Sequence, residues 1–79
     1  MLTDIKADVL LDTKGMICPL PVLRTKKAID TLQSGQVLEV VATDAGSKSD
    51  ISTLLNRLGH ELLHTGEEGG TIRFFIRKK

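Results

Sequence analysis

Both prolines of this chain, Pro19 and Pro21, lie within the three residues that follow its only cysteine, Cys18. Proline fits the first turn of a helix, where its missing N–H is not needed and its fixed φ is already helical. We therefore predict a helix that begins at Pro19 or Leu20 and runs to about residues 33–34. Such a helix places the thiol of Cys18 at or beside the N-cap.

The helical repeat of about 100° per residue divides this predicted helix into two faces. The residues of the core face are Val22, Thr25, Ala28, Ile29 and Leu32. Leu20 and Leu23 fall on the opposite face, next to Arg24 and Lys27. An outward apolar pair within one turn of a cysteine either docks a partner protein or is ordinary exposed apolar surface.

Four segments have the apolar and β-branched patterns that are typical of strands. These are residues 7–13, 36–43, 60–65 and 71–77. Residues 36–43 are nearly continuous in apolar side chains, so we expect this strand at the centre of the sheet. Strict alternation puts His60, Leu62 and His64 on one face of the third strand. The glycine-rich segment Gly66–Gly70 is predicted to be the turn of a hairpin.

A second helix is predicted by apolar residues at i, i+3, i+4 and i+7, which are Ile51, Leu54, Leu55 and Leu58. We expect Ser47 and Asp50 to form its capping box and Gly59 to end it. The element order is then β-α-β-α-β-β. This order predicts the α/β class: a two-layer sandwich in which two helices cover one face of a four-stranded mixed sheet, as a single domain over residues 1–79.

Cysteine usage and composition narrow the possible functions. A secreted domain of 79 residues would normally carry several cysteines in disulfides, so a single thiol favours the cytoplasm. One cysteine and two histidines are too few for a closed zinc site, and we expect no metal and no cofactor. A net charge of +1 without Trp or Tyr argues against nucleic-acid binding. No apolar run approaches the roughly 18–20 residues of a membrane helix.

The predicted position of Cys18 favours its thiolate. A helix N-terminus carries partial positive charge and unpaired N–H groups, so we expect the thiol pKa to lie below the free value of about 8.5. No second cysteine is available for a thioredoxin-type dithiol cycle. His60 and His64 are the only imidazoles; they are either partners of Cys18 or partly exposed strand residues.

The segment Asp12–Pro21 matches the signature D-x-x-G-x-x-C-P-x-P, and the chain thereby resembles the TusA/SirA sulfur-carrier family. The resemblance extends over nearly the whole length, through Lys26–Lys27, Asp44–Asp50, Gly59–Leu62 and Phe75–Lys78. It implies that Cys18 carries sulfur as a persulfide. The residues expected to position it are Asp12, Gly15, Pro19 and Pro21.

The resemblance also implies partners of two kinds. The sulfur donor would be a cysteine desulfurase or a rhodanese-like protein. The acceptor would belong to a relay for tRNA thiolation, molybdenum-cofactor enzyme maturation or sulfur oxidation. The chain would then be a partner-dependent carrier rather than a stand-alone enzyme. We expect the partner-docking residues to be Leu20, which fills the variable position of the motif, with Leu23, Lys26 and Lys27. The alternative is a redox-sensing or regulatory interaction module that transfers no sulfur.

Overall fold

The computed structural model describes residues 6–17 and 20–79, so Cys18 and Pro19 lie outside the described residues. Its elements are β1 Val9–Thr13, α1 Leu20–Asp30, β2 Val37–Ala42, α2 Ser47–Leu58, β3 Glu61–Glu68 and β4 Thr71–Arg77. The predicted β-α-β-α-β-β order is confirmed. In this part of the chain no helix is long and apolar enough to cross a membrane.

The four strands form one mixed sheet in the order β1-β2-β4-β3. β1 runs parallel to β2, whereas β4 is antiparallel to both β2 and β3. The predicted central position of β2 is confirmed, and its apolar sequence has a physical reason. Leu38, Val40 and Ala42 face the helices and are fully buried. Val41 points to the other face of the sheet and is still only 4% exposed.

Both helices pack on one face of the sheet, which makes the predicted two-layer sandwich. α1 contributes Ile29 to the core, and α2 contributes Ile51 and Leu55. The strands supply the rest of the buried cluster, chiefly Leu38, Val40, Ala42, Ile72, Phe74 and Ile76. The opposite face is uncovered and mixed in character: Arg73 pairs there with Glu39 at 2.7 Å, close to the half-buried Phe75.

α1 is shorter than predicted, because it ends at Asp30 rather than at residues 33–34. The N–H groups of Thr31 and Leu32 donate to the carbonyls three residues before them, both at 3.1 Å. This 3₁₀-type pairing satisfies the last carbonyls of the helix and turns the chain toward β2. Leu32 is nevertheless buried, as the helical pattern predicted.

The predicted capping box of α2 is wrong. Ser47 is the first residue of the helix, and its fully buried hydroxyl donates to the carbonyl of Asp44 at 2.6 Å. Gly46 occupies the N-cap and offers no side-chain acceptor. The other end is as predicted: Gly59 has φ of 82° and its N–H donates to the carbonyl of Leu55 at 2.8 Å.

β3 differs from its prediction because it contains a bulge and continues to Glu68. Leu62 pairs with Ile76, but His64 pairs with Phe75, so one extra residue lies between the two pairs. The predicted face of His64 is therefore wrong: a bulge reverses the alternation, and His64 shares the uncovered face with Phe75. The turn shrinks to Gly69–Gly70, both with positive φ, as a two-residue hairpin turn requires.

Substitution of Leu38 by Ala should lower the free energy of unfolding by about 2–5 kcal/mol, because it leaves a cavity in a fully buried site of β2. The matched control is Leu10→Ala on neighbouring β1, where the side chain is 62% exposed and the change should stay within about 0.5 kcal/mol. Urea unfolding of both variants measures the difference. Equal losses would contradict the assignment of the two sheet faces.

Candidate functional site

The loop between β1 and α1 leaves the sheet at the edge where the parallel strands β1 and β2 both end. β1 ends at Thr13, and α1 begins at Leu20. Cys18 belongs to this loop by sequence, and residues 14–17 are its described part. These described residues are the part of the loop that directly precedes the only cysteine in the sequence.

Hydrogen bonds to β2 and to the residue after it fix the beginning of this loop. The buried hydroxyl of Thr13 donates to the carbonyl of Val41 at 2.7 Å. The N–H of Gly15 donates to the hydroxyl of Thr43 at 2.9 Å, across 28 positions of sequence. The N–H of Met16 donates back to the carbonyl of Thr13 at 3.1 Å. The loop thus starts as a tight turn held against the end of the central strand.

Asp12 and Gly15 shape this turn. The carboxylate of Asp12 accepts the N–H of Lys14 at 2.9 Å, which is the side-chain turn that aspartate favours. Gly15 has φ of +83°, a left-handed conformation that side-chain-bearing residues adopt only with strain. The spacing of Asp and Gly in the signature therefore has a local geometric reason, while their part in sulfur chemistry stays a prediction.

α1 is fixed from its first residues. The N–H of Leu20 donates to the carbonyl of Ile17 at 3.0 Å, so the helix follows directly from the loop. Pro21 is buried, and its carbonyl accepts the hydroxyl of Thr25 at 2.7 Å. Burial of Pro21 was not predicted, because the signature marked this proline for its backbone and not for packing. The first turn of α1 contains no acidic side chain that would offset the positive end of the helix dipole.

The outward face of α1 carries exposed apolar side chains that lie close to Cys18 in the sequence. Leu20 and Leu23 are 47% and 57% exposed, so their predicted outward orientation is confirmed. Ile17 is 74% exposed and was missed, because it lies in a loop where no periodicity assigns a face. Its only signal in the sequence is that it directly precedes Cys18.

Basic residues adjoin these apolar side chains on α1. Arg24 and Lys27 are exposed and lie four and seven residues after Leu20, on the same helical face. Lys26 lies at the margin of that face and is paired with Asp30 at 2.9 Å. The hydrogen bond from Lys26 holds the pKa of Asp30 below its ordinary value. Among the described residues, Lys27 forms no such ion pair.

The two histidines are engaged elsewhere. The Nδ1 atom of His60 accepts the N–H of Lys79 at 3.0 Å, near the start of β2. Gly15 lies at the other end of this strand, because it contacts Thr43, the residue after the end of β2. Burial lowers the pKa of His60, and the charge of Lys78 lowers it further. His64 is exposed on the uncovered sheet face, with its ring centroid 6.1 Å from that of Phe75.

An open cavity of about 380 Å³ lies beside the loop, between Lys14 and the β3–β4 hairpin. Its charged lining consists of Lys14, Arg73, Glu67 and Glu68, so it favours neither sign of charge. Residues 6–17 and 20–79 contain no group of three or more His, Cys, Asp or Glu side chains that could hold a metal ion.

The sequence is similar to that of proteins described as sulfur carriers. Residues 9–78 match the sequence profile of the family described as Sulfurtransferase TusA. The protein YrkI of Bacillus subtilis is 49% identical over 73 residues, which cover 92% of this chain and 97% of that protein. The sulfur carrier protein TusA of Allochromatium vinosum is 48% identical over 71 residues, covering 90% and 93%.

A solved structure has the same fold. The crystal structure of a SirA-like protein from Desulfitobacterium hafniense superposes with a TM-score of 0.77 at 25% sequence identity. The match covers 87% of this chain and 95% of the other. The two-layer arrangement described above is thus shared with a protein of that type.

Replacement of Gly15 by Ala should lower the free energy of unfolding by about 1–2 kcal/mol, because alanine is strained at a φ of +83°. The matched control is Gly66→Ala in β3, where φ is not positive and the added Cβ would meet only the His64 ring at 3.5 Å. That control should change stability by no more than about 0.5 kcal/mol. Urea titrations compare the two, and an unaffected Gly15→Ala variant would contradict the left-handed turn.

Proposed function

Because the chain belongs to the TusA family, we propose that it is a sulfur carrier that accepts a sulfur atom as a persulfide on Cys18 and passes it to a partner protein. The observation that carries the proposal is the family match over residues 9–78, a range that includes the only cysteine. We further propose that residues 1–79 act as one carrier domain in the cytoplasm.

The proposed loading step is a thiol–persulfide exchange. The Cys18 thiolate attacks the terminal sulfur of a persulfide on the donor protein. A bond forms between Sγ of Cys18 and that sulfur, while the S–S bond of the donor breaks. The electron pair of the broken bond leaves on the donor's thiolate, so the step needs no external oxidant or reductant. Delivery to an acceptor repeats the exchange, with the acceptor thiolate attacking the sulfur carried on Cys18.

The described residues support a carrier more than a self-sufficient catalyst. His60 lies beside Lys79 near the start of β2, whereas the β1–α1 loop contacts the residue after the end of β2, so His60 is poorly placed to act as a base for that loop. The supporting feature is electrostatic: α1 begins two residues after Cys18, and its first turn has no acidic side chain. A helix N-terminus favours an anionic sulfur, whether thiolate or persulfide. The partner proteins supply the remaining chemistry.

Specificity for partners is proposed to lie on the outward face of α1. Leu20 and Leu23 provide apolar contact area, and exposed Lys27 provides charge on the same face. Lys26 can join this surface, because an exposed lysine–aspartate pair is weak and breaks at little cost. Such a surface fits a partner that presents an apolar patch bordered by acidic residues.

The proposed donor is a cysteine desulfurase or a rhodanese-like protein, as the family resemblance implies. The proposed acceptor is a further protein in a sulfur relay. tRNA thiolation, molybdenum-cofactor enzyme maturation and sulfur oxidation are the three routes that members of such a family serve. No residue described above distinguishes among them, so the acceptor has to be identified by transfer assays with each class.

Loading is tested by intact-protein mass spectrometry after incubation with a cysteine desulfurase and cysteine, or with a rhodanese and thiosulfate. We expect the mass of one added sulfur atom, which a reductant removes and which Cys18→Ser does not acquire. A second expected result is transfer of that sulfur to an acceptor thiol after the donor has been removed. Absence of the adduct with both donors would contradict the carrier function and favour a regulatory or redox-sensing module.

Combined substitution of Leu20 and Leu23 by Ser should slow sulfur transfer from the donor by at least about tenfold, because it removes apolar contact area at the proposed interface. Stability should fall by no more than about 1 kcal/mol, which is about 0.5 kcal/mol for each of the two half-exposed side chains. Leu10→Ser is the matched control on the uncovered sheet face and should transfer sulfur at the normal rate. Normal transfer in the double variant would contradict the docking proposal.

A further inference from the structure

We infer that Thr43 is a positioning residue for the Cys18 loop: its hydroxyl holds Gly15, and with it the start of that loop, against the end of β2. The inference depends on the proposed function only for the reason why the loop has to be held in place. Its basis is one long-range contact, from the N–H of Gly15 to the Thr43 hydroxyl at 2.9 Å, between residues 28 positions apart.

Two hydroxyl groups tie this segment to β2 and its end, and they differ in burial. Thr13 is fully buried, and its hydroxyl reaches the carbonyl of Val41 at 2.7 Å, so its loss would disturb the core. Thr43 is exposed and follows the last residue of β2. Removal of its hydroxyl should leave the core packing intact and loosen the turn around Gly15, which would keep only its local hydrogen bonds to Asp12 and Thr13.

The bond matters because, among the described residues, it is the hydrogen bond that ties residues 14–17 to a distant part of the chain. α1 is anchored in the core by Pro21, Thr25 and Ile29, so the start of the helix cannot shift easily. The strand side of the loop depends on the turn at Gly15, three residues before Cys18. The influence of a helix N-terminus falls off within its first turn. A loop that moves relative to α1 would therefore lose part of the stabilisation of an anionic sulfur.

The test is the pH dependence of Cys18 alkylation by iodoacetamide in four proteins. In Thr43→Val, which keeps the shape but not the hydroxyl, we expect alkylation at pH 7 to be roughly two- to tenfold slower, with the midpoint moved to higher pH. Thr43→Ser restores the hydroxyl and should restore the wild-type profile. Thr31→Val removes an exposed hydroxyl bond of 2.6 Å at the other end of α1 and should change nothing.

Urea unfolding of the same proteins separates positioning from general stability. We expect Thr43→Val and Thr31→Val to lose similarly small amounts of stability, while only the former shifts the alkylation profile. If Thr43→Val does not fold, Thr43→Ala takes its place in the comparison. An unshifted profile in the hydroxyl-less variant, or an equal shift in Thr31→Val or Thr43→Ser, would overturn the inference.

Alkylation requires no sulfur donor, so the inference and the proposed function can fail independently. A wild-type protein that shows the predicted Thr43 effect but never acquires sulfur would leave the positioning residue standing and remove the carrier function. A protein that loads sulfur normally but whose alkylation ignores Thr43 would do the reverse.

Discussion

The parallel pairing of β1 with β2 is the constraint on which the rest of the molecule depends. It brings the ends of two strands to one edge of the sheet, so that the chain leaving β1 passes beside the end of β2. Thr13 and Gly15 are tied there by hydrogen bonds to Val41 and Thr43. The crossover that must follow a parallel pair is α1, and its first residue comes two positions after Cys18. Sheet topology therefore determines where the β1–α1 loop, whose sequence contains Cys18, leaves the sheet.

This arrangement assigns little chemistry to the carrier itself. In the proposed function, the anchored loop and the first turn of α1, which has no acidic side chain, favour an anionic sulfur on Cys18. The surface that we propose for partner choice contains the exposed apolar side chains Ile17, Leu20 and Leu23. Arg24 and Lys27 are exposed on the same helix. In the proposed function, the chemistry of sulfur exchange is thus separate from the side chains that select the partner.

Local periodicity correctly predicted the elements in which each face keeps the same surroundings along its whole length. The buried face of α1 and the alternation of β4 follow directly from apolar spacing. The failures have different causes, and only some of them lie in tertiary geometry. The bulge before His64 follows from pairing with β4, the hydroxyl of Ser47 was drawn to the carbonyl of Asp44, and Ile17 is exposed in a loop without periodicity. The Thr43 contact spans 28 positions and was equally invisible to a local reading.

We propose that the fold lowers the pKa of the Cys18 thiol below that of a free thiol. The most direct test of this claim is a comparison of the alkylation midpoint of Cys18 in the folded protein with that in the same chain unfolded in urea. We predict a midpoint below that of the unfolded chain, whose thiol should have a pKa of about 8.5. An equal or higher midpoint in the folded protein would contradict the claim and would mean that burial of the sulfur outweighs the helix terminus.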